Sequence, residues 1–148
     1  MLVLANGGAS ATLTLSVAAT APGLFTADSS GAGPAAAINQ DNTLNGASNP
    51  AAVGSVVALF GTGEGQTSPA GTDGLIANST YPAPLGAVSA TVGGLPAQIQ
   101  YAGAAPQLTA GVLQVNVTIP AGVAPGANEI VVTVGGVSSR AGVTIAVQ

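Results

Sequence analysis

The stretch Leu113-Gln114-Val115-Asn116-Val117-Thr118-Ile119 (LQVNVTI) alternates apolar and polar side chains without interruption. Successive side chains of a β-strand point to opposite faces, so an alternation with a period of two predicts a strand that is buried on one face. The same alternation recurs in residues 132–134 and 143–147. It is the dominant pattern of the chain and favours β-structure.

Other segments extend this pattern to the whole chain. Residues 55–60 are almost continuously apolar, which predicts a central strand, and residues 35–39 predict a shorter strand. Residues 87–92 and 97–101 predict a hairpin around Gly93-Gly94-Leu95-Pro96. The 22 glycines and 10 prolines provide the turns, and no long stretch has the apolar spacing of a helix.

About eight short strands at this spacing predict an all-β protein, an Ig-like Greek-key β-sandwich of about 7–8 strands with an additional N-terminal extension strand. The chain has only two Tyr and two Phe residues, so the core must consist mainly of aliphatic side chains. The predicted core residues are Phe25, Ile38, Val57, Leu59, Val92, Ile99, Leu113, Val115, Val117, Ile130, Val132 and Val143.

The N-terminal residues partly repeat the C-terminal ones. Residues 7–17 read GGASATLTLSV and residues 135–147 read GGVSSRAGVTIAV, which aligns a Gly-Gly pair and an alternating strand in each. Either the two strands are similar by chance, or the leading segment is the last strand of a preceding repeat. The second interpretation divides the chain into an N-terminal extension strand, residues 1–19, and a sandwich domain, residues 20–148.

The apolar face of the extension strand consists of Leu13, Leu15 and Val17. Such a strand pairs with a sheet edge, either in its own domain or in another molecule. Donation to the next copy is a head-to-tail contact that does not close on itself and therefore builds a filament. Residues 74–128 carry no charge, so little repulsion opposes this association. The predicted partner is the protein itself, as a homopolymer.

The composition excludes several classes of function. The chain has one Lys or Arg residue, five Asp or Glu residues, no His and no Cys, with a formal net charge of −4. It therefore has no imidazole or thiol to act as a base, nucleophile or soft metal ligand, and no Lys to form a Schiff base. The single cation, Arg140, cannot form the basic surface that binds nucleic acid. The prediction is a protein that is not an enzyme and uses no cofactor, no metal and no nucleic acid.

The sequence also bears on location. Its apolar runs reach about six residues, far fewer than the roughly 20 that span a membrane, so we expect no membrane span. The start MLVLA lacks the basic residues of a signal peptide, so either a leader has been removed or the sequence begins inside a longer chain. Because Thr, Ser and Asn provide the polarity instead of charged residues, we expect an extracellular or cell-surface protein.

Several motifs occur in an order that resembles a known family. They are APGLFT (21–26), AAAINQD (35–41), GSVVALFGTGEG (54–65), GGLPA (93–97), LQVNV (113–117) and GGVSS (135–139). Residues 20–148 are similar to the Solibacter-type uncharacterised C-terminal domain of large secreted acidobacterial proteins. The resemblance implies an Ig-like, IPT/TIG-like sandwich in which residues 1–19 end a preceding repeat. It implies no catalytic residues.

Candidate sites for chemistry are few. The motif Gly61-Thr62-Gly63-Glu64-Gly65 lacks the Lys of a phosphate-binding loop and predicts a strand-ending turn with a solvated Glu64. Asp41, near Asn39, Asn42 and Asn45, provides too few carboxylates for a tight calcium loop and predicts an Asx turn. Hydrolysis by paired carboxylates would require two of the five acids to converge. These acids are Asp28, Asp41, Glu64, Asp73 and Glu129.

Two Asn-X-Ser/Thr sequences begin at Asn78 and Asn116, so glycans are possible partners at these residues. The leading functional prediction is a non-enzymatic extracellular structural protein, the subunit of a self-assembling filament formed by strand donation. The alternative is an Ig-like binding or spacer module at the C-terminus of a larger secreted or cell-surface protein. In that case the Gly- and Pro-rich loop at 61–84 is the expected contact surface.

Overall fold

The computed structural model describes residues 4–5, 8–9, 14 and 16–148, and within them it contains strands and turns but no helix. Accordingly, nothing in the described part of the chain forms a helix long and apolar enough to cross a membrane. The strands are β1 (Leu4–Ala5), β2 (Gly8–Ala9), β3 (Gly23–Leu24), β4 (Gly33–Pro34), β5 (Ala37–Asn39), β6 (Val56–Thr62), β7 (Thr67–Ser68), β8 (Ala83–Pro84), β9 (Val88–Val92), β10 (Leu95–Ala104), β11 (Leu113–Thr118), β12 (Gly126–Val134), β13 (Val137–Ser138) and β14 (Val143–Val147). The predicted all-β class is confirmed.

Ten strands form one mixed sheet, in the order β3-β6-β11-β10-β9-β12-β14-β4, with β5 also paired to β6 and β13 to β12. β10 joins the two halves of this sheet, because its residues 95–97 pair with β9 and its residues 98–104 pair with β11. β4 runs parallel to β14, whereas the other paired strands are antiparallel. The sheet curls so that both halves contribute to one core. The Ig-like Greek-key arrangement stays a prediction.

The core consists of the inward-facing members of the alternating strands. In β11, for example, Leu113, Val115 and Val117 are buried while Gln114 and Asn116 are only half-buried. Ile99 is partly buried and packs against the core. The predicted core residues that are buried are Val57, Leu59, Val92, Leu113, Val115, Val117, Ile130, Val132 and Val143.

Two predicted core residues are placed differently. Phe25 is 40% exposed, because it follows the buried Leu24 and consecutive residues of an extended chain point to opposite sides. In β5, Ala37 and Asn39 occupy the inner face, so Ile38 between them faces outward and is only half-buried.

The predicted hairpin is confirmed, but its turn is shorter than expected, because Leu95 and Pro96 already belong to β10. β9 pairs with β10, and the two glycines between them have φ values of +56° and +78°. Two consecutive positive φ values define the type I′ turn that suits the twist of paired strands. Gly135 and Gly136, with φ values of +59° and +84°, connect β12 to β13 in the same way.

The outer edge of β14 is covered by residues that precede β6. The Gly33 and Ala35 amides donate to the carbonyl oxygens of Gly142 and Thr144. Farther along, Asn45 bonds to Ala146 through its side chain. Covering an edge in this way prevents it from pairing with another chain.

A different edge lies open. On the side of β10 away from β11, residues 98–102 have no strand partner among the described residues. We call residues 98–102 the open edge. Its ladder to β11 shifts register between Ile99 and Tyr101, which marks a β-bulge at Gln100. The bulge divides the open edge into two short stretches.

The ends of the described domain lie at opposite ends of β12. Thr20 Oγ1 donates to the carbonyl oxygen of Val134, the last residue of β12. Val147, near the C-terminus, pairs with Gly126 at the start of β12. A strand of this length spans about 26 Å at roughly 3.3 Å per residue. The chain therefore enters the sheet at one end and leaves it at the other.

Candidate functional site

The proposed donor residues fall at the limit of the described chain. Leu13 and Leu15 lie outside the described residues, and Val17 is described. Val17 lies outside any strand and is 96% exposed. Residues 16–19 are exposed, and Thr20 is buried. The side chain of Val17 thus contributes nothing to the core of its own domain.

The segment that follows Val17 lies across the motif at 61–65. A Cβ atom would lie 2.5 Å from the Gly23 carbonyl oxygen if added to Gly61, and 2.0 Å from the Ala21 carbonyl oxygen if added to Gly63. A Cβ atom at Gly65 would lie 2.2 Å from the carbonyl oxygen of Ala19. Only glycine permits such a close approach of two backbones. The three glycines therefore allow residues 19–24 to pack closely against the motif, and they do not form a phosphate loop.

This packing also corrects the expectation of a solvated Glu64. Glu64 is only 9% exposed, because the segment at 19–21 lies against the glycines on either side of it. The Ala21 amide donates to the Gly63 carbonyl oxygen at 2.9 Å, which fixes the segment there. β6 ends at Thr62, so the strand ends within the motif as predicted, but residues 63–65 are not assigned to a turn.

An apolar cleft lies beside Val17, and we call it the N-terminal cleft. Its volume is about 770 Å³, and its walls include Val17, Leu85 and Val137. Leu85 is 65% exposed and Val137 is 43% exposed. Large apolar side chains grouped at a surface indicate a contact site more often than scattered ones do.

Three of the five carboxylates accept backbone hydrogen bonds. Asp28 accepts from the Ser30 amide, and Asp41 accepts from the Thr43 amide, which is the predicted Asx turn. Hydrogen bonds lower the pKa of both carboxyl groups below the usual 3.8. The main cause for Asp28 is the bond from the Ser30 backbone amide, and the main cause for Asp41 is the bond from the Thr43 hydroxyl group. Glu129 accepts from the Gly142 amide at 2.7 Å.

The other two carboxylates, Glu64 and Asp73, line one cavity of about 400 Å³, which we call the acidic cavity. Its remaining walls come from Gly65, Gln66, Thr67, Ala70, Gly71, Pro82, Ala110 and Gly111. The lining contains no aromatic side chain on which a sugar could stack. Within the described residues, no group of three or more His, Cys, Asp or Glu side chains is placed to hold a metal ion.

The asparagines near Asp41 bond to the chain itself. Asn39 Nδ2 donates to the Asn49 carbonyl oxygen, and Asn45 Nδ2 donates to Asn39 Oδ1, each at 2.9 Å. The second amide hydrogen of Asn45 bonds to the Ala146 carbonyl oxygen. These oxygens and amides therefore fix a turn against β14.

The two candidate glycosylation residues differ in accessibility. Asn78 is exposed in an irregular segment. Asn116 is half-buried within β11, and its Oδ1 accepts from Gln114 Nε2 at 2.8 Å. Asn78 is therefore the more accessible of the two.

Parts of the loop at 61–84 are fixed by backbone hydrogen bonds. Thr67 and Ser68 pair with residues 83–84, and the Ala77 amide donates to the Leu108 carbonyl oxygen. Leu75 and Ile76 are nevertheless 59% and 46% exposed. They line a cavity of about 290 Å³ that we call the loop pocket.

Comparisons of the chain with protein-family models, with characterised proteins and with solved structures found no match. The similarity to the Solibacter-type domain therefore stays a prediction.

Two of these features could not be predicted from the sequence. The burial of Glu64 and its position at the same cavity as Asp73 are not apparent there, because the residues between the two acids are an irregular loop without a pattern. The role of Asn45 at the β14 edge is not apparent either. The one available indication was that Asn45 belongs to a polar cluster, Asn39 to Asn49, that is richer in amides than a simple turn requires.

Proposed function

We propose that the protein is a non-enzymatic, extracellular structural subunit that self-assembles head to tail by donating its leading segment to a neighbouring copy. Leu13, Leu15 and Val17 are the donated apolar side chains. The observation that carries the proposal is Val17, an aliphatic side chain that is 96% exposed at the point where the chain enters the sheet. An aliphatic residue in this position loses unfavourable contact with water when a second molecule covers it.

The polarity of the domain supports a head-to-tail arrangement. Thr20 is anchored at the Val134 end of β12, and Gln148 bonds to Ala51 near the opposite end. A contact between unlike ends repeats without closing, which is the geometry of a filament. Entry and exit at opposite ends of β12 would also allow such domains to follow one another as tandem repeats in one chain.

The open edge supports a strand acceptor. On the side of β10 away from β11, residues 98–102 have no strand partner among the described residues, whereas the β14 edge is covered by residues 33–35, Asn45 and Ala51. Charged side chains usually prevent exposed strand edges from pairing with other chains, and neither the open edge nor the leading segment before Asp28 carries one. Because of the bulge at Gln100, we expect a short ladder.

The experiment compares concentration series of the full chain by sedimentation velocity and electron microscopy. We expect filaments from the unaltered protein, and dispersed monomers from the variant Leu13→Ser, Leu15→Ser, Val17→Ser. The matched control is Leu75→Ser, Ile76→Ser, which removes exposed apolar side chains from the loop pocket and should still assemble. Circular dichroism verifies that both variants fold.

Monomers of the unaltered protein at every concentration would contradict the proposal. Equal assembly by the donor variant would contradict the role of Leu13, Leu15 and Val17.

The second candidate function is an Ig-like binding or spacer module of a larger cell-surface protein. The exposed Leu75 and Ile76 beside the loop pocket favour it, because they offer an apolar contact surface far from the leading segment in sequence. A gene that encodes a chain several times longer than this sequence would favour the module. In that case glycans at the exposed Asn78 would help to solubilise a surface with few charges.

A further inference from the structure

The asparagine that covers the β14 edge is followed by a glycine. Asn45 and Gly46 form an Asn-Gly pair, and both residues are half-buried. Because glycine has no side chain, its backbone nitrogen is the least hindered in attacking the side-chain carboxamide of the residue before it. Such an attack releases ammonia and deamidates the asparagine. The pair can therefore react wherever the nitrogen and the carboxamide carbon are free to meet.

The fold does not require a glycine at residue 46. Gly46 has no positive φ, and a Cβ atom added to it would meet no heavy atom within 4 Å. Gly61 and Gly63 differ, because an added Cβ atom would overlap the backbone of another segment there. The lack of a side chain at residue 46 thus matters for the reactivity of Asn45 and not for the packing of the chain.

Hydrogen bonds engage both reacting groups in the folded protein. Asn45 Nδ2 donates to Asn39 Oδ1 and to the Ala146 carbonyl oxygen, and Asn45 Oδ1 accepts from the Ala146 amide. The Gly46 amide donates to the Asn49 carbonyl oxygen at 3.3 Å. The carboxamide must leave these bonds before its carbon can be attacked. The reaction therefore requires a local opening of the β14 edge.

We propose that Asn45 is a site of spontaneous deamidation, which proceeds when the β14 edge opens. The Gly46 backbone nitrogen forms a bond to Asn45 Cγ and gives up its proton. The bond from Cγ to Nδ2 breaks, and the nitrogen leaves with that proton as ammonia. Water then opens the resulting succinimide to aspartate, or to isoaspartate, in which the main chain continues through the side chain. Water is the only co-reactant.

The product cannot make the hydrogen bonds that Asn45 makes. A carboxylate only accepts hydrogen bonds, whereas Asn45 Nδ2 donates to two acceptor oxygens, on Asn39 and Ala146. A negative charge would face these oxygens in a half-buried position, which is unfavourable. The Ala51 amide would still donate to the Ala146 carbonyl oxygen. Deamidation therefore weakens the cover of the β14 edge, and a less covered edge pairs more readily with another strand.

The test of the site is peptide mass spectrometry of the full chain after incubation in mildly alkaline buffer, with and without urea. We expect Asn45 to deamidate at least about tenfold faster in urea than in buffer, because only the open form reacts. The other Asn-Gly pair of the sequence, Asn6-Gly7, is the internal reference in urea and should react as fast as Asn45 there. Asn42, which precedes a threonine, should react more slowly than both.

Gly46→Ala separates the chemistry from the fold. In urea it should remove the preference for Asn45 over Asn42 and leave the reaction of Asn6 unchanged, since the added methyl group hinders only the Gly46 nitrogen. Its urea midpoint should equal that of the unaltered protein, because the space around residue 46 is open. The midpoint also shows that the variant folds.

Asn45→Asp reproduces the aspartate product and tests its consequence. Hydrogen exchange of residues 143–148 should become about tenfold faster, because a lost hydrogen bond to a buried group makes local opening easier. The matched control is Asn78→Asp, which adds the same charge at an exposed residue and should leave this exchange unchanged.

Three results would overturn the inference. In urea, reaction at Asn45 no faster than at Asn42 would remove the site. Equal rates at Asn45 in buffer and in urea would remove its dependence on opening. Equal exchange of residues 143–148 in Asn45→Asp and the unaltered protein would remove the effect on the β14 edge. All of these measurements are made on dilute protein, so their outcome is independent of self-assembly.

Discussion

The carboxamide of Asn45 makes both hydrogen bonds that a neighbouring strand would make with Ala146. Its Nδ2 donates to the Ala146 carbonyl oxygen at 2.9 Å, and its Oδ1 accepts from the Ala146 amide at 2.8 Å. One side chain therefore replaces a strand at the outer edge of β14. This cover leaves the open edge of β10 as the more accessible place for strand addition.

Replacing Asn45 by Ala should destabilise the protein. The change leaves the Ala146 amide without a partner and removes the bond to Asn39 Oδ1, and an unsatisfied buried polar group costs about 1–3 kcal/mol. We expect the free energy of unfolding in urea to fall by this amount. Asn78→Ala, which removes an exposed carboxamide, should change it by less than about 0.5 kcal/mol. Equal effects of the two substitutions would contradict the role of Asn45.

Substitution of Gly63 tests whether residues 19–21 pack against the motif at 61–65. Gly63 has a φ of +84°, and a Cβ atom there would lie 2.0 Å from the Ala21 carbonyl oxygen. Gly74 has a similar φ of +77° but open space around it. Gly74→Ala should therefore cost about 1–2 kcal/mol from backbone strain alone, and Gly63→Ala about 1–3 kcal/mol more from overpacking.

Urea unfolding of both variants provides the comparison. A loss in Gly63→Ala no greater than that in Gly74→Ala would show that residues 19–21 do not lie against the motif in solution.

Acid should destabilise the fold through Asp28 and Asp41. Hydrogen bonds lower the pKa of each carboxyl group in the folded state, so the unfolded chain takes up protons first as the pH falls. The stability that these groups contribute is present above the ordinary pKa of 3.8 and is lost as the pH falls below it, through the lower folded-state value. We expect the urea midpoint to fall over this range.

The variant Asp28→Asn, Asp41→Asn keeps oxygen acceptors but cannot titrate. Its urea midpoint should fall less between pH 5 and pH 3 than that of the unaltered protein. The same decrease in both proteins would assign the acid sensitivity to other groups.

The elements that could be predicted from the sequence are those determined by interactions between residues close together in the chain. β11 was predictable because its alternation is strict and its inner residues are all branched aliphatics. The turn at Gly93-Gly94 was predictable because two consecutive glycines favour the positive φ values of a type I′ turn. In these cases the deciding information lies within a few residues.

Other features depend on residues that are distant in sequence. Asn39 is buried in place of Ile38 because its amide bonds to Asn49 and Asn45, which no alternation pattern reveals. Glu64 is buried because a segment more than forty residues earlier lies against its neighbouring glycines. The acidic cavity likewise depends on where an irregular loop carries Asp73.

Hydrogen exchange with mass spectrometry on concentrated protein measures whether one molecule completes the sheet of another with its leading segment. Backbone amides that enter a ladder between molecules exchange slowly. We expect the peptide that contains Leu13, Leu15 and Val17 to be protected at high concentration and to lose this protection on dilution. If that peptide exchanges at the rate of an unstructured chain at every concentration while β11 stays protected, the leading segment is not donated to a neighbouring molecule.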